Sequence, residues 1–136
     1  MKAIFGVDIG GTDIKTGMFS EDCRLIEKWS VSTDLSEHGK FIIPAVATGI
    51  REHMAIHNMK PEDVIGIGMG IPGPVDPHGY VKKCVNLNWK EFDPVAELAA
   101  YFPDCTIAAG NDANVAALGE YYQGGGAGCT GRLVRL

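Results

Sequence analysis

The stretch Asp8-Ile9-Gly10-Gly11-Thr12-Asp13-Ile14-Lys15 sets an acid at the end of one apolar run. Two glycines follow, and a hydroxyl and a lysine open the next run. Upstream, residues 4–9 (IFGVDI) read as a strand, with Ile4, Gly6 and Asp8 on one face and Phe5, Val7 and Ile9 on the other. Gly10-Gly11 is a turn signal, and residues 14–20 suit a returning strand. Glu21-Asp22 marks a second turn, and Leu25 to Val31 reads as a third strand. Two successive hairpins are therefore expected to open the chain.

The same stretch carries candidate chemistry. Glycines let backbone N–H groups approach a phosphate closely. A carboxylate such as Asp8 is the usual protein ligand of a hydrated magnesium ion that also holds substrate phosphates. The competing reading is a polar hairpin turn. The spacing is neither G-x-x-x-x-G-K-[ST] nor G-x-G-x-x-G.

Farther along, apolar residues from Phe41 to Met54 recur at helical spacing, and Pro44 requires the regular helix to begin near residue 42 or to kink. Val64 to Met69 is a buried-strand candidate, followed by a loop of three prolines between Ile71 and Pro77. Val81 to Leu87 suits a short strand or an ordered loop. Asp93 caps a helix with Pro94 at its first position, running to about Tyr101. Thr106 to Ala109 is a further strand, and Asn114 to Tyr121 a further helix, stopped by Gly124-Gly125-Gly126. Strands alternating with helices in this way give an α/β architecture.

Three more clusters deserve weight. Gly68-Met69-Gly70-Ile71-Pro72-Gly73-Pro74-Val75-Asp76 follows a strand, where open α/β sheets bind ligands, although a structural Pro/Gly turn reads the same way. Asn86-Leu87-Asn88-Trp89 offers amides for vicinal hydroxyls and an aromatic wall, or else an Asx turn with a core tryptophan. Asn111-Asp112-Ala113-Asn114 puts a carboxylate between a strand and a helix, where it can serve as a general base or as an N-cap. His53 and His57 lie one helical turn apart, and a solvated helix face is expected of them in preference to a weak surface metal pair.

Composition limits the function classes. The formal charge is -5 at pH 7, with 46% hydrophobic and 21% charged residues over 136 positions. That balance lacks the basic excess of a nucleic-acid partner, and no apolar run reaches the length of a membrane span. Cys23, Cys84, Cys105 and Cys129 form no C-x-x-C pair, so reduced structural thiols in a cytoplasmic protein are expected and no zinc site is read here.

Taken together, DIGGTDIK, GMGIPGPVD, VNLNW and AGNDANVAALGE resemble, in order and spacing, the ROK family (repressor, open reading frame, kinase) over residues 1–126. The resemblance to its bacterial glucokinases implies a ribonuclease H-like, actin-like ATPase lobe. Its mixed sheet would open with two hairpins and be flanked by helices. It also implies ATP- and magnesium-dependent phosphorylation of a hexose, glucose first, at the 6-hydroxyl. Carried over by motif, Asp8 corresponds to the magnesium-proximal acid, and Gly10, Gly11, Thr12 and Lys15 to the phosphate loop. Asn86 and Asn111 correspond to sugar-hydroxyl ligands, Gly70, Pro72 and Gly73 to the loop beside the sugar, and Asp112 to the catalytic base that also meets the substrate.

The resemblance further implies a second lobe with an adenosine pocket, another phosphate loop and often a cysteine-rich zinc site. Residues 127–136 do not follow its pattern. A polypeptide of this length is thus expected to be an inactive half with apolar surface that drives self-association. The alternatives are a non-enzymatic sugar-binding or partner module, and a ROK-type transcriptional regulator lacking its DNA-binding domain. DIGGT begins at residue 8, so a preceding helix-turn-helix is not expected.

Overall fold

A computed structural model describes residues 1–111 of the chain. The expected opening is present: β1 (Ala3–Ile9), β2 (Asp13–Ser20) and β3 (Leu25–Ser32) form an antiparallel meander of two hairpins. Then come α1 (Ser36–Gly39), α2 (Ile42–Ile56), β4 (Val64–Ile71), α3 (Pro94–Ala99) and β5 (Thr106–Asn111). The five described strands form one mixed sheet in the order β3-β2-β1-β4-β5. Strands β4 and β5 run parallel to β1. The C-terminal ends of β1, β4 and β5 therefore share one edge of the lobe.

Local chemistry explains the boundaries. Pro44 is the third residue of α2, within the first turn, where a backbone N–H has no partner inside the helix. The helix therefore starts at Ile42 without losing a bond, and the Ala45 N–H donates to the carbonyl of the capping residue Phe41 at 3.1 Å. Asp93 caps α3 as expected, its Oδ1 accepting from the Ala96 N–H at 3.0 Å, with Pro94 at the first position. The segment from Val81 to Leu87 resolves into isolated bridges, Val81 to Phe92 and Cys84 to Trp89, plus a tight turn at Val85–Leu87.

Alternation along the strands builds the core. Phe5, Val7 and Ile9 are fully buried, and so are Ile67, Met69 and Ile71 of β4. The apolar face of α2, with Ile42, Ile43, Val46, Ala47, Ile50 and Met54, belongs to the same cluster. Full burial of one such side chain is worth roughly 1.5–3 kcal/mol, so this layer dominates the stability of the lobe.

The edge strand β3 is tied to α2 by aromatic and polar contacts. The Trp29 ring stacks on His53 at 3.6 Å between centroids and meets Phe5 edge-on at 6.3 Å. His53 Nδ1 donates to the Gly49 carbonyl at 2.8 Å. Glu27 Oε1 lies 3.5 Å from His53 Nε2 and 3.3 Å from His57 Nε2. The two histidines thus face β3 rather than forming a solvated helix face. Cys23 is disulfide-bonded, which corrects the expectation that all four cysteines are reduced. No described helix is long and apolar enough to cross a membrane.

Candidate functional site

The shared edge of β1, β4 and β5 gathers most of the candidate residues. Asp8 is the penultimate residue of β1, paired with Lys15 on β2 and Gly70 on β4. Gly10, Gly11 and Thr12 make the β1–β2 turn, closed by the Gly10 N–H donating to the Asp13 carbonyl at 2.9 Å. Gly70 lies opposite Gly110 of β5, and Pro72 and Gly73 leave β4 directly after Ile71. Asn111 ends β5 and Asn86 sits in the tight turn Val85–Leu87.

Specific contacts hold these loops together. The amide of Asn86 donates to the Pro72 carbonyl at 3.3 Å. The amide of Asn111 donates to the Gly73 carbonyl at 3.2 Å. A Cβ on Gly11 would come within 3.0 Å of the Asn86 carbonyl oxygen, so the glycine turn and the asparagine turn touch backbone to backbone. That close approach is a physical reason for glycine at position 11. Asn86, Asn111 and Thr12 are exposed, and Asp8, Gly10, Gly11, Pro72 and Gly73 are half-buried. The edge thus presents amides, backbone N–H groups and a carboxylate to one solvent-facing region, a set suited to a polyhydroxylated ligand beside a phosphate.

Some expectations fare differently. Lys15 is exposed and, with Lys28, Trp29 and Ser30, lines a shallow cavity of about 360 Å³ at the β3 side of the sheet. Trp89 is no wall for a ligand. It is 3% exposed, stacks at a tilt on Phe92 and donates from Nε1 to the Gly39 carbonyl at 3.1 Å. Asn88 takes a left-handed conformation, φ 61°, and its amide donates to the Leu35 carbonyl at 3.2 Å. The core-tryptophan reading of the Asn86–Trp89 cluster therefore holds for its last two residues. Asp112, the expected base, lies outside the described residues, as do Asn114 to Tyr121.

Sequence reasoning missed Thr33 and Gly39. The Thr33 hydroxyl donates to the Gly10 carbonyl at 2.7 Å, and its N–H donates to the Thr12 carbonyl at 3.0 Å. Neither residue stands in a motif, and no local pattern marks either. Next to Thr33, the hydroxyl and N–H of Ser36 both donate to Asp34 and hold its carboxyl below the usual range. On the loop after β4, the backbone N–H of Tyr80 foremost, and that of His78, hold the Asp76 carboxyl below its usual range despite the opposing effect of burial.

Against known proteins, the ROK family profile matches residues 4–134, past the boundary at 126 where the motif resemblance stops. A glucokinase of Halalkalibacterium halodurans is 32% identical over 130 residues, which are 95% of this chain and 39% of that protein. A glucokinase of Thermotoga maritima is 33% identical over 128 residues, 92% of this chain and 38% of that protein. The chain thus spans about two fifths of the length of these curated relatives. Among solved structures, a ROK family glucokinase from Streptomyces griseus in complex with glucose and AMPPNP superposes with a TM-score of 0.70 at 29% identity. The match covers 93% of this chain and 38% of that one. The mixed sheet with flanking helices is the α/β lobe architecture of these sugar kinases, as the motifs implied.

Proposed function

The chain belongs to the ROK family, and on that premise we propose that it is the hexose-binding lobe of an ATP-dependent hexose kinase, with glucose the foremost substrate and the 6-hydroxyl the acceptor. The observation that carries this reading is the convergence of Gly11, Asn86, Pro72 and Asn111 at one end of the parallel strands. Open α/β sheets bind ligands at that end.

In this reading Asn86 and Asn111 meet sugar hydroxyls. Each spends one amide N–H on a backbone carbonyl, of Pro72 and Gly73, and so is pre-oriented before a ligand arrives. Pro72 and Gly73 form the floor beside the sugar, continuing from Gly70 on β4. Asp112 follows Asn111 directly in the chain and takes the proton from the 6-hydroxyl as that oxygen attacks. Gly11 and Thr12 offer backbone N–H and hydroxyl donors to the phosphates, Gly10, whose own N–H closes the turn, lets the backbone approach closely, and Lys15 reaches over from the β3 side with its ammonium. Asp8 suits a hydrated magnesium ion, because it lies half-buried one residue before the end of β1 and two before a glycine pair that lets the backbone approach the same phosphate closely. When bound, the magnesium nucleotide supplies the phosphoryl group and neutralises its charge.

Phosphoryl transfer depends almost wholly on positioning and electrostatics, so a lobe that does not enclose the nucleotide leaves most of the rate enhancement unmade. The 136-residue polypeptide is therefore expected to bind hexose and to form no hexose 6-phosphate unaided. The test is a titration of ¹⁵N-labelled chain with glucose, mannose and N-acetylglucosamine, beside a coupled kinase assay. Saturable shifts of the Asn86 and Asn111 side-chain amides support the reading. Absence of any hexose-dependent shift refutes it, and steady turnover abolished by Asp112→Asn refutes the need for a second lobe.

A further inference from the structure

The segment from Thr33 to Gly39 contacts both halves of the candidate site and belongs to neither motif. At its start, Thr33 makes two bonds to the β1–β2 turn, hydroxyl to the Gly10 carbonyl and N–H to the Thr12 carbonyl. Two residues later, the Leu35 carbonyl accepts from Asn88, and the Gly39 carbonyl accepts from Trp89 in the core. Asn88 and Trp89 continue the turn that presents Asn86. The segment therefore spans from the phosphate-side turn to the sugar-side turn.

Its backbone is held in an unusual shape. Glu37, His38 and Gly39 are all left-handed, with φ of 49°, 59° and 70°. Two non-glycine residues in that region persist only where the surroundings over-determine them. Gly39 is confined as well, since an added Cβ would lie 2.4 Å from the Leu87 carbonyl oxygen and 2.7 Å from the Trp89 ring. A strap so tightly fitted at one end and doubly bonded at the other transmits displacement instead of absorbing it.

We infer that Thr33, Asn88 and Trp89 are positioning residues of the site: through residues 33–39 they fix the Gly10–Thr12 turn against Asn86. None of the three is assigned a contact with ligand. The inference rests on the sugar-site reading for its consequence, and on the geometry alone for the mechanical link.

Two measurements separate these. In ligand-free 136-residue chain, amide hydrogen exchange is followed at Thr33, Gly10 and Ile50. Asn88→Gly keeps the left-handed backbone and removes the side-chain bond, and Thr33→Val removes the hydroxyl. Asn88→Gly should raise exchange at Thr33 and Gly10 about 2- to 10-fold, the equivalent of one neutral hydrogen bond, and leave Ile50 in α2 unchanged. Thr33→Val should do the same at Gly10, with Thr33→Ser restoring it. Trp89→Phe repeats the test where it folds, and the exposed Asn88 variant carries it where that one does not. Unchanged exchange at Gly10 and Thr33, or an equal rise at Ile50, overturns the link. In the second arm, glucose affinity of Asn88→Gly should fall by the same factor. A wild-type chain that binds no hexose overturns the sugar reading alone, and full affinity in a variant with a loosened Gly10 turn overturns the positioning role.

Discussion

Replacing Gly39 by alanine tests the packing argument most directly. The residue sits at φ +70°, and its new Cβ would stand 2.4 Å from the Leu87 carbonyl oxygen and 2.7 Å from Trp89 Cδ1 and Nε1. A left-handed backbone costs a residue with a Cβ roughly 1–2 kcal/mol. Forcing a methyl into a filled space costs about 1–3 kcal/mol more, because the carbonyl is backbone and the indole ring is 3% exposed. The reduced freedom of the unfolded chain offsets about 0.4–1 kcal/mol. The net loss is about 1–4.5 kcal/mol, against a total of roughly 5–15 kcal/mol for an ordinary domain. Urea unfolding followed by tryptophan fluorescence reads it, since Trp89 touches the mutated site. At a urea slope of about 1.5 kcal/mol/M, the midpoint should fall by about 0.7–3 M with the slope unchanged. Gly73→Ala is the control, because its Cβ would meet Cys84 Sγ at 3.4 Å, an ordinary contact, and no left-handed φ is involved. It should cost under about 1 kcal/mol. A Gly39→Ala protein as stable as wild type, or no worse than Gly73→Ala, would refute the reasoning.

Three further outcomes are expected. Asn86→Ala should weaken hexose binding about 10-fold or more by calorimetry, through loss of one or two hydrogen bonds, while leaving the urea midpoint near wild type because Asn86 is exposed. Burial pushes the Cys105 thiol up to about 11, so it should react with iodoacetamide far more slowly at pH 8.5 than an unfolded thiol does. The unfolded chain loses that proton first, so this contribution to stability is complete below pH of about 9 and is lost as pH rises toward 11, which a Cys105→Ala variant followed over that range should not show. The edge strand β3 leaves Leu25, Ile26 and Val31 exposed by 45%, 36% and 41%, and an apolar edge invites pairing with another chain. Sedimentation should therefore show concentration-dependent association that Val31→Lys reduces, and a strict monomer at high concentration would count against it.

The sequence by itself determined the elements. The strands of both hairpins, the helix from Ile42 and the Asp93 cap follow from alternation, helical spacing and turn chemistry, all of which act within a few residues. The motif loops were legible for the same reason, since a glycine pair after a strand or an amide in a turn states its chemistry locally. Only the tertiary structure decided which loops meet. Parallel pairing of β1 with β4 and β4 with β5 brings Gly11, Pro72, Asn86 and Asn111 to one edge from positions far apart in the chain. The ties from Thr33 to Gly10 and from Trp89 to Gly39 cross 23 and 50 residues, and no local pattern encodes them. Trp89 and the two histidines of α2 show the same limit. An indole beside two amides reads as a ligand wall or a core residue, and a histidine pair one helical turn apart reads first as a solvated face. Burial against Gly39 and apposition to Glu27 depend on how helix and sheet pack, and packing is a property of the assembled fold.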